Sequence, residues 1–155
     1  MLKKPGGFKS KRLREFTDKI KFKLPKDYSN FLKNSNGMAF GEEYIGFCLK
    51  GERNSIYMDE LLGIGVYNGS DIERYYDEYA DELPEKTIII GETMETGKLL
   101  LKCQDGNTGV YLWDNDFILE QSTEEKCIYK VADSFDEFIG KLHKVAWCYN
   151  PRKSW

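Results

Sequence analysis

Nowhere in these 155 residues do about eighteen apolar residues run together, the length that a membrane-spanning helix needs. The opening stretch, MLKKPGGFKSKRLREF, carries lysines but no apolar run typical of a secretory signal, so no membrane association is expected and a cytoplasmic location is. Histidine occurs once, as His143, and any histidine-dependent chemistry has to use it. Cys48, Cys103, Cys127 and Cys148 form no C-x-x-C pair and no zinc-ligand spacing; they read as reduced thiols. Internal repeats, low-complexity tracts and Pro/Ser-rich linkers are missing too, and one domain is the simplest division of a chain this long.

A phosphate-binding loop is also wanting, although TIIIGETMETGKLLLKC (87–103) has its outline. A P-loop places G-x-x-x-x-G-K-[ST] between strand and helix, so that backbone N–H groups wrap phosphates and the hydroxyl holds Mg²⁺. Here Gly91 and Gly97 are too far apart and Leu99 follows Lys98 where the hydroxyl belongs. Glu92 and Glu95 would repel an anion, and Leu99–Leu101 continue as a strand; the stretch predicts a β-hairpin turn. GIGVYNG (63–69) likewise misses the dinucleotide spacing and reads as a strand end and loop. No nucleotide, metal or other cofactor is expected.

What the chain does have is apolar and aromatic material for a core: 41% hydrophobic residues and 14% aromatic. Leu13, Phe16 and Ile20 recur at helical spacing, and a second short helix follows from about Pro25 with Tyr28, Phe31 and Leu32 on its apolar face. From residue 38 onward short β-type runs take over, at 44–50, 56–65, 86–91, 98–104, 109–116 and 126–132, with DGNTG (105–109) as a hairpin signal. Ser70-Asp71-Ile72-Glu73 and Ser134-Phe135-Asp136-Glu137 are S-x-x-E capping boxes, which start helices because Ser and Glu side chains satisfy free backbone N–H groups. The prediction is an α+β domain: two N-terminal helices, five or six mainly antiparallel strands, an acidic helix near 71–83 inserted before the third strand, and a C-terminal helix.

Charge is distributed unevenly. Residues 1–33 carry eleven Lys/Arg against three Asp/Glu, or +8, while residues 69–95 carry nine Asp/Glu against two Lys/Arg, or −7. Such asymmetry is a solvated face or a steering surface for a partner of opposite sign. His143 reads as a helix-end histidine suited to the helix dipole. Asp114 with Asp116, and Glu92 with Glu95, are carboxylate pairs of the kind that serve acid/base work or hold a cation, but neither has calcium-loop spacing, and a turn after a strand is the simpler role. The basic N-terminus mixes with aromatics, yet no nucleic-acid-binding motif accompanies it and the net charge is −3, so nucleic-acid binding is not expected.

Three segments resemble the SUKH superfamily, which contains Smi/Knr-type fungal cell-wall regulators and many bacterial immunity proteins. KFKLPKDYSNFLKNSNG (21–37) is similar to its opening signature, through Leu24, Pro25, Asp27, Tyr28, Phe31, Leu32, Asn36 and Gly37. Residues 88–116 are similar to its central hairpins, and VADSFDEFIGKL (131–142) to its closing helix with a Ser-Phe start. The domain is accordingly placed at 13–146, between a basic N-terminal segment (1–12) and a C-terminal tail (147–155).

The resemblance implies a binding module without catalytic residues. Bacterial members typically neutralise a toxin, often a nuclease or deaminase, made by the same strain; the alternative is a regulatory adaptor that binds a cellular enzyme or signalling protein. Nuclease toxins are basic because they bind phosphates, so the acidic segment is the complementary surface. Its candidate partner-binding residues are Asp71, Glu73, Tyr75, Asp77, Glu78, Asp81, Glu82, Glu92 and Glu95, with Trp113 as a further aromatic anchor.

Overall fold

The two N-terminal stripes fold as expected in the computed structural model, which describes residues 2–3, 10–41, 43–66 and 69–144. A two-residue strand β1 (Leu2–Lys3) precedes α1 (Ser10–Ile20), whose Phe16 and Ile20 are buried, and α2 (Lys26–Asn34), whose Tyr28 and Leu32 are buried. Pro25 takes the N-cap position of α2 with φ −56°, the value its ring imposes.

The β-type runs then resolve into β2 (Met38–Ala39), β3 (Gly46–Phe47), β4 (Ile56–Leu61), β5 (Thr87–Thr93), β6 (Lys98–Gln104), β7 (Asn107–Trp113) and β8 (Ile128–Ala132). All ladders are antiparallel, in the order β1-β2-β4-β5-β6-β7-β8, with β3 beside β4. Five strands are five residues or longer, as the periodicity predicts; the three two-residue strands bring the sheet to eight. The run at 44–50 shrinks to Gly46–Phe47, because only that pair meets β4 in register. Thr87 to Gly91 are buried without alternation, so the centre of β5 is covered on both faces.

Between β4 and β5 lies α3 (Ile72–Tyr79), and α4 (Phe135–Lys141) closes the described chain. Ser134 caps α4, its Oγ accepting from Glu137 N–H at 3.1 Å. The first box is displaced by one residue: Asp71, not Ser70, caps α3, accepting from Glu73 N–H at 2.8 Å, while the Ser70 hydroxyl donates to Glu60 at 3.0 Å. A carboxylate at the positive end of a helix is the stronger cap, and Ser70 is better used on Glu60. On one side of the core, α2 and α4 meet through aromatic rings, with Phe135 5.0 Å from both Tyr28 and Phe31, and Phe138 5.6 Å from Phe47.

The Asn-Gly of the opening signature has a structural purpose. Asn36 adopts φ +46°, turns the chain out of α2, and points its amide at Ile64: its Nδ2 donates to Ile64 O at 3.0 Å and its Oδ1 accepts from Ile64 N–H at 2.8 Å. Gly63, the first glycine of GIGVYNG, permits this contact, since a Cβ there would lie 2.4 Å from Asn36 O. Asn36→Ala should cost about 2–3 kcal/mol, from two buried groups left unpaired and a left-handed backbone that alanine disfavours. Asn36→Gly, which relieves only the backbone, should recover part of that loss; urea midpoints of the two variants distinguish the contributions.

Candidate functional site

Four side chains stand in a row across four strands. Glu60 of β4 pairs with Glu92 of β5, Glu92 with Lys98 of β6, and Lys98 with Trp113 of β7. The ring of Tyr79 in α3 is the lid on this row: it meets Trp113 edge-on at 5.8 Å, and Lys98 Nζ lies 5.1 Å from its centroid. Lys98 also pairs with Glu92 at 3.4 Å. Tyr75 stacks beside Tyr79 and bonds Glu92; burial first, and then the negative charge of Glu92, pushes its phenol well above its ordinary pKa. The lysine that a P-loop would aim at a phosphate is thus occupied by a carboxylate and a tyrosine ring.

The turn before Lys98 is the predicted hairpin. Thr93 Oγ1 donates to Gly97 O at 2.9 Å and accepts from Thr96 N–H at 2.9 Å, which fixes residues 93–97. Gly97 has φ +105°, and a Cβ there would fall 2.2 Å from Trp113 O, so no other residue fits without moving the backbone.

The candidate acids divide into two groups. Four are engaged inside the fold: Asp71 as the α3 cap, Glu73 with Arg12 at 3.7 Å, Asp77 with Lys19 at 2.5 Å, and Glu92 with Lys98. The hydrogen bond that Lys19 donates to Asp77 is the main cause of its raised pKa. Since Phe16 of α1 also meets Tyr76 of α3 edge-on at 5.9 Å, the basic and acidic segments face one another, and part of the charge asymmetry is internal complementarity. The second group, Glu78, Asp81, Glu82 and Glu95, is exposed and forms no ion pair among the described residues. Of the aromatic candidates, Tyr75 is half-buried, and Trp113, 8% exposed, is packed beneath Tyr79 and presents no free ring.

Sequence reasoning missed Arg12 and Lys19 as partners of the acidic helix, though their spacing of seven on α1 was a readable signal. It also missed Glu60 and Lys98, which only the strand register brings together, and Tyr79, whose ring α3 sets against Lys98 and Trp113.

The other candidate chemistry is structural. Asp114 is fully buried and accepts from Ile118 N–H at 2.9 Å, Leu119 N–H at 2.8 Å and the Ser122 hydroxyl at 2.6 Å, so it is a turn organiser, as its place after a strand predicts. No group of His, Cys, Asp and Glu that could hold a metal ion occurs among the described residues. His143 lies just past α4, not in it, bridging its backbone to Gly46. Its Nε2 is 3.8 Å from Cys48 Sγ, but Cys48 is disulfide-bonded and so offers no thiolate; this corrects the reading of that residue as a reduced thiol. Cys103 and Cys127 are free, and burial pushes the Cys103 thiol up to about 12. Cys148 lies outside the described residues. No helix among the described residues is long and apolar enough to cross a membrane.

A sequence model of the SMI1 / KNR4 family (SUKH-1) matches residues 7–141. The chain is similar to the SPbeta prophage-derived uncharacterized protein YokK of Bacillus subtilis (strain 168), with 25% identity over 147 residues, 86% of this chain and 73% of that protein. No solved structure matches it.

Proposed function

The chain belongs to the SMI1 / KNR4 family (SUKH-1), and from that membership we propose that it is a non-catalytic protein-binding module which neutralises a basic toxin of the nuclease or deaminase type. The observation that carries this reading is the set of exposed carboxylates Glu78, Asp81, Glu82 and Glu95, which form no ion pair among the described residues. Charges on an exposed helix end contribute little to folding, but they raise encounter rates with a basic protein by orders of magnitude at low salt. An inhibitor that must reach its target before damage is done benefits from such steering. A prophage-derived relative fits this reading, since mobile elements are a natural setting for linked toxin and immunity genes.

The test is co-expression with a toxin gene adjacent to this one, followed by stopped-flow association of the two purified proteins. Wild type should restore growth and bind. Glu78→Lys combined with Glu82→Lys should fold normally but associate about tenfold more slowly at low salt, with a shallower salt dependence. Failure of wild type to bind or protect would remove the immunity reading, and a resident enzyme bound in its place would favour an adaptor. Equal rates for wild type and variant would show that these acids do not steer the encounter.

A further inference from the structure

The hairpin tip at residues 94–96 forms one wall of a groove that neither the sheet row nor the α3 acids include. Tyr44, Asn54, Ser55, Ile56, Tyr57, Met94, Glu95 and Thr96 line a cavity of about 400 Å³, and the only charge among them is the Glu95 carboxylate. Tyr44 and Met94 are 59% and 39% exposed, large side chains left in water at the same spot. The rings of Tyr44 and Tyr57 meet at 82° with centroids 5.6 Å apart, so they make a corner rather than a flat patch. The walls are held firmly: Met94 N–H donates to Tyr57 O at 2.8 Å, and the Thr93 hydroxyl fixes the turn that carries Met94 and Glu95. Tyr44 itself sits at φ +51°, a left-handed conformation that a bulky residue adopts at a cost, and its ring gains no burial in return.

We propose that this groove receives an arginine side chain from the basic protein partner, the guanidinium lying against the tyrosine corner and Met94 and pairing with Glu95 at the rim. The reading of a basic partner underlies the choice of occupant. Tyrosine faces attract cations through their quadrupole, and a planar guanidinium stacks on them better than an ammonium does. The methionine thioether adapts to the aliphatic stem. A carboxylate at the mouth supplies the opposite charge and accepts the guanidinium N–H groups. An apolar side chain would fill the same volume but leave the Glu95 carboxylate at the rim without a partner, so the charge decides in favour of arginine.

Methyl NMR of the full chain with labelled methionine, titrated with a short oligo-arginine peptide and with oligo-lysine as the control, tests this directly. The Met94 methyl and the Tyr44 and Tyr57 ring signals should shift and saturate with arginine, and bind lysine more weakly. Tyr44→Asn, which suits the left-handed backbone, and Glu95→Gln should each weaken arginine binding about fivefold without loss of fold, while Glu78→Lys leaves the Met94 shift in place. Arginine shifts confined to residues 78–82, or unchanged affinity in Tyr44→Asn and Glu95→Gln, would overturn the proposal. Binding of the adjacent-gene toxin separates the two readings. If the toxin binds wild type and Tyr44→Asn equally, the groove is not its anchor although the immunity reading stands. If no toxin binds but the peptide seats in the groove, the groove assignment stands without that reading.

Discussion

Phe135→Ala is expected to remove about 3–5 kcal/mol of stability, because the ring is almost wholly buried where α2 and α4 meet. Its loss deprives Tyr28 and Phe31 of a partner at 5.0 Å each and Phe138 of one at 6.4 Å. These rings come from two helices far apart in sequence and cannot easily collapse onto the gap. Phe135→Leu, which keeps most of the volume, should cost under about 1.5 kcal/mol. Urea unfolding with unchanged slope measures both; an alanine effect below about 1 kcal/mol would mean that α4 is not anchored by this ring.

Asp114→Ala should be nearly as damaging, at about 3–5 kcal/mol, for a polar reason rather than a packing one. The carboxylate is the shared acceptor for two backbone N–H groups and the Ser122 hydroxyl, which also lies 2.9 Å from the Tyr129 hydroxyl. Alanine leaves the Leu119 N–H buried without a partner and takes the acceptor from the Ile118 N–H and from the Ser122 hydroxyl, which keeps only Tyr129. The melting temperature should fall by roughly 10 °C for a domain of this size, and amide exchange at Ile118 and Leu119 should quicken more than exchange in β6. Asp114→Asn, which still accepts through one oxygen, should lie between the two. Uniform exchange across the chain would show that the loop is held by something other than this carboxylate.

Much of the fold was legible because its signals are local. The helical stripe of Phe16 and Ile20, the hairpin residues around 105–109, the Ser134 cap and the apolar run at 98–104 each follow from a few neighbouring residues, and each stands where the pattern puts it. The misplaced features are those decided by distant partners. Ser70 lost the cap to Asp71 because Glu60 offered it a hydrogen bond, and the run at 44–50 was cut to two residues by its register with β4. The candidate face was half legible for the same reason. Composition marked the acids, but only the docking of α1 beside α3 separates Glu73 and Asp77, which are paired, from Glu78, Asp81 and Glu82, which form no ion pair among the described residues. Tyr44 left no signal at all, since its exposure and its contact with Tyr57 depend on a loop closing over β4.

The strand order bears on how the chain is made. From β4 to β8 each strand pairs with its successor, so the ladder can assemble progressively as the polypeptide leaves the ribosome. The contact between α2 and α4 cannot. Asp136 N–H reaches Asp27 at 3.0 Å across 109 residues of sequence, and the Tyr28–Phe135 pair spans nearly as many. Until α4 has emerged, a nascent chain carries the meander with Tyr28, Phe31 and Phe47 still lacking the rings that α4 supplies, an apolar surface left in water. Helix α4 is therefore the latch of biogenesis, and chains interrupted before residue 135 should be the ones that chaperones retain.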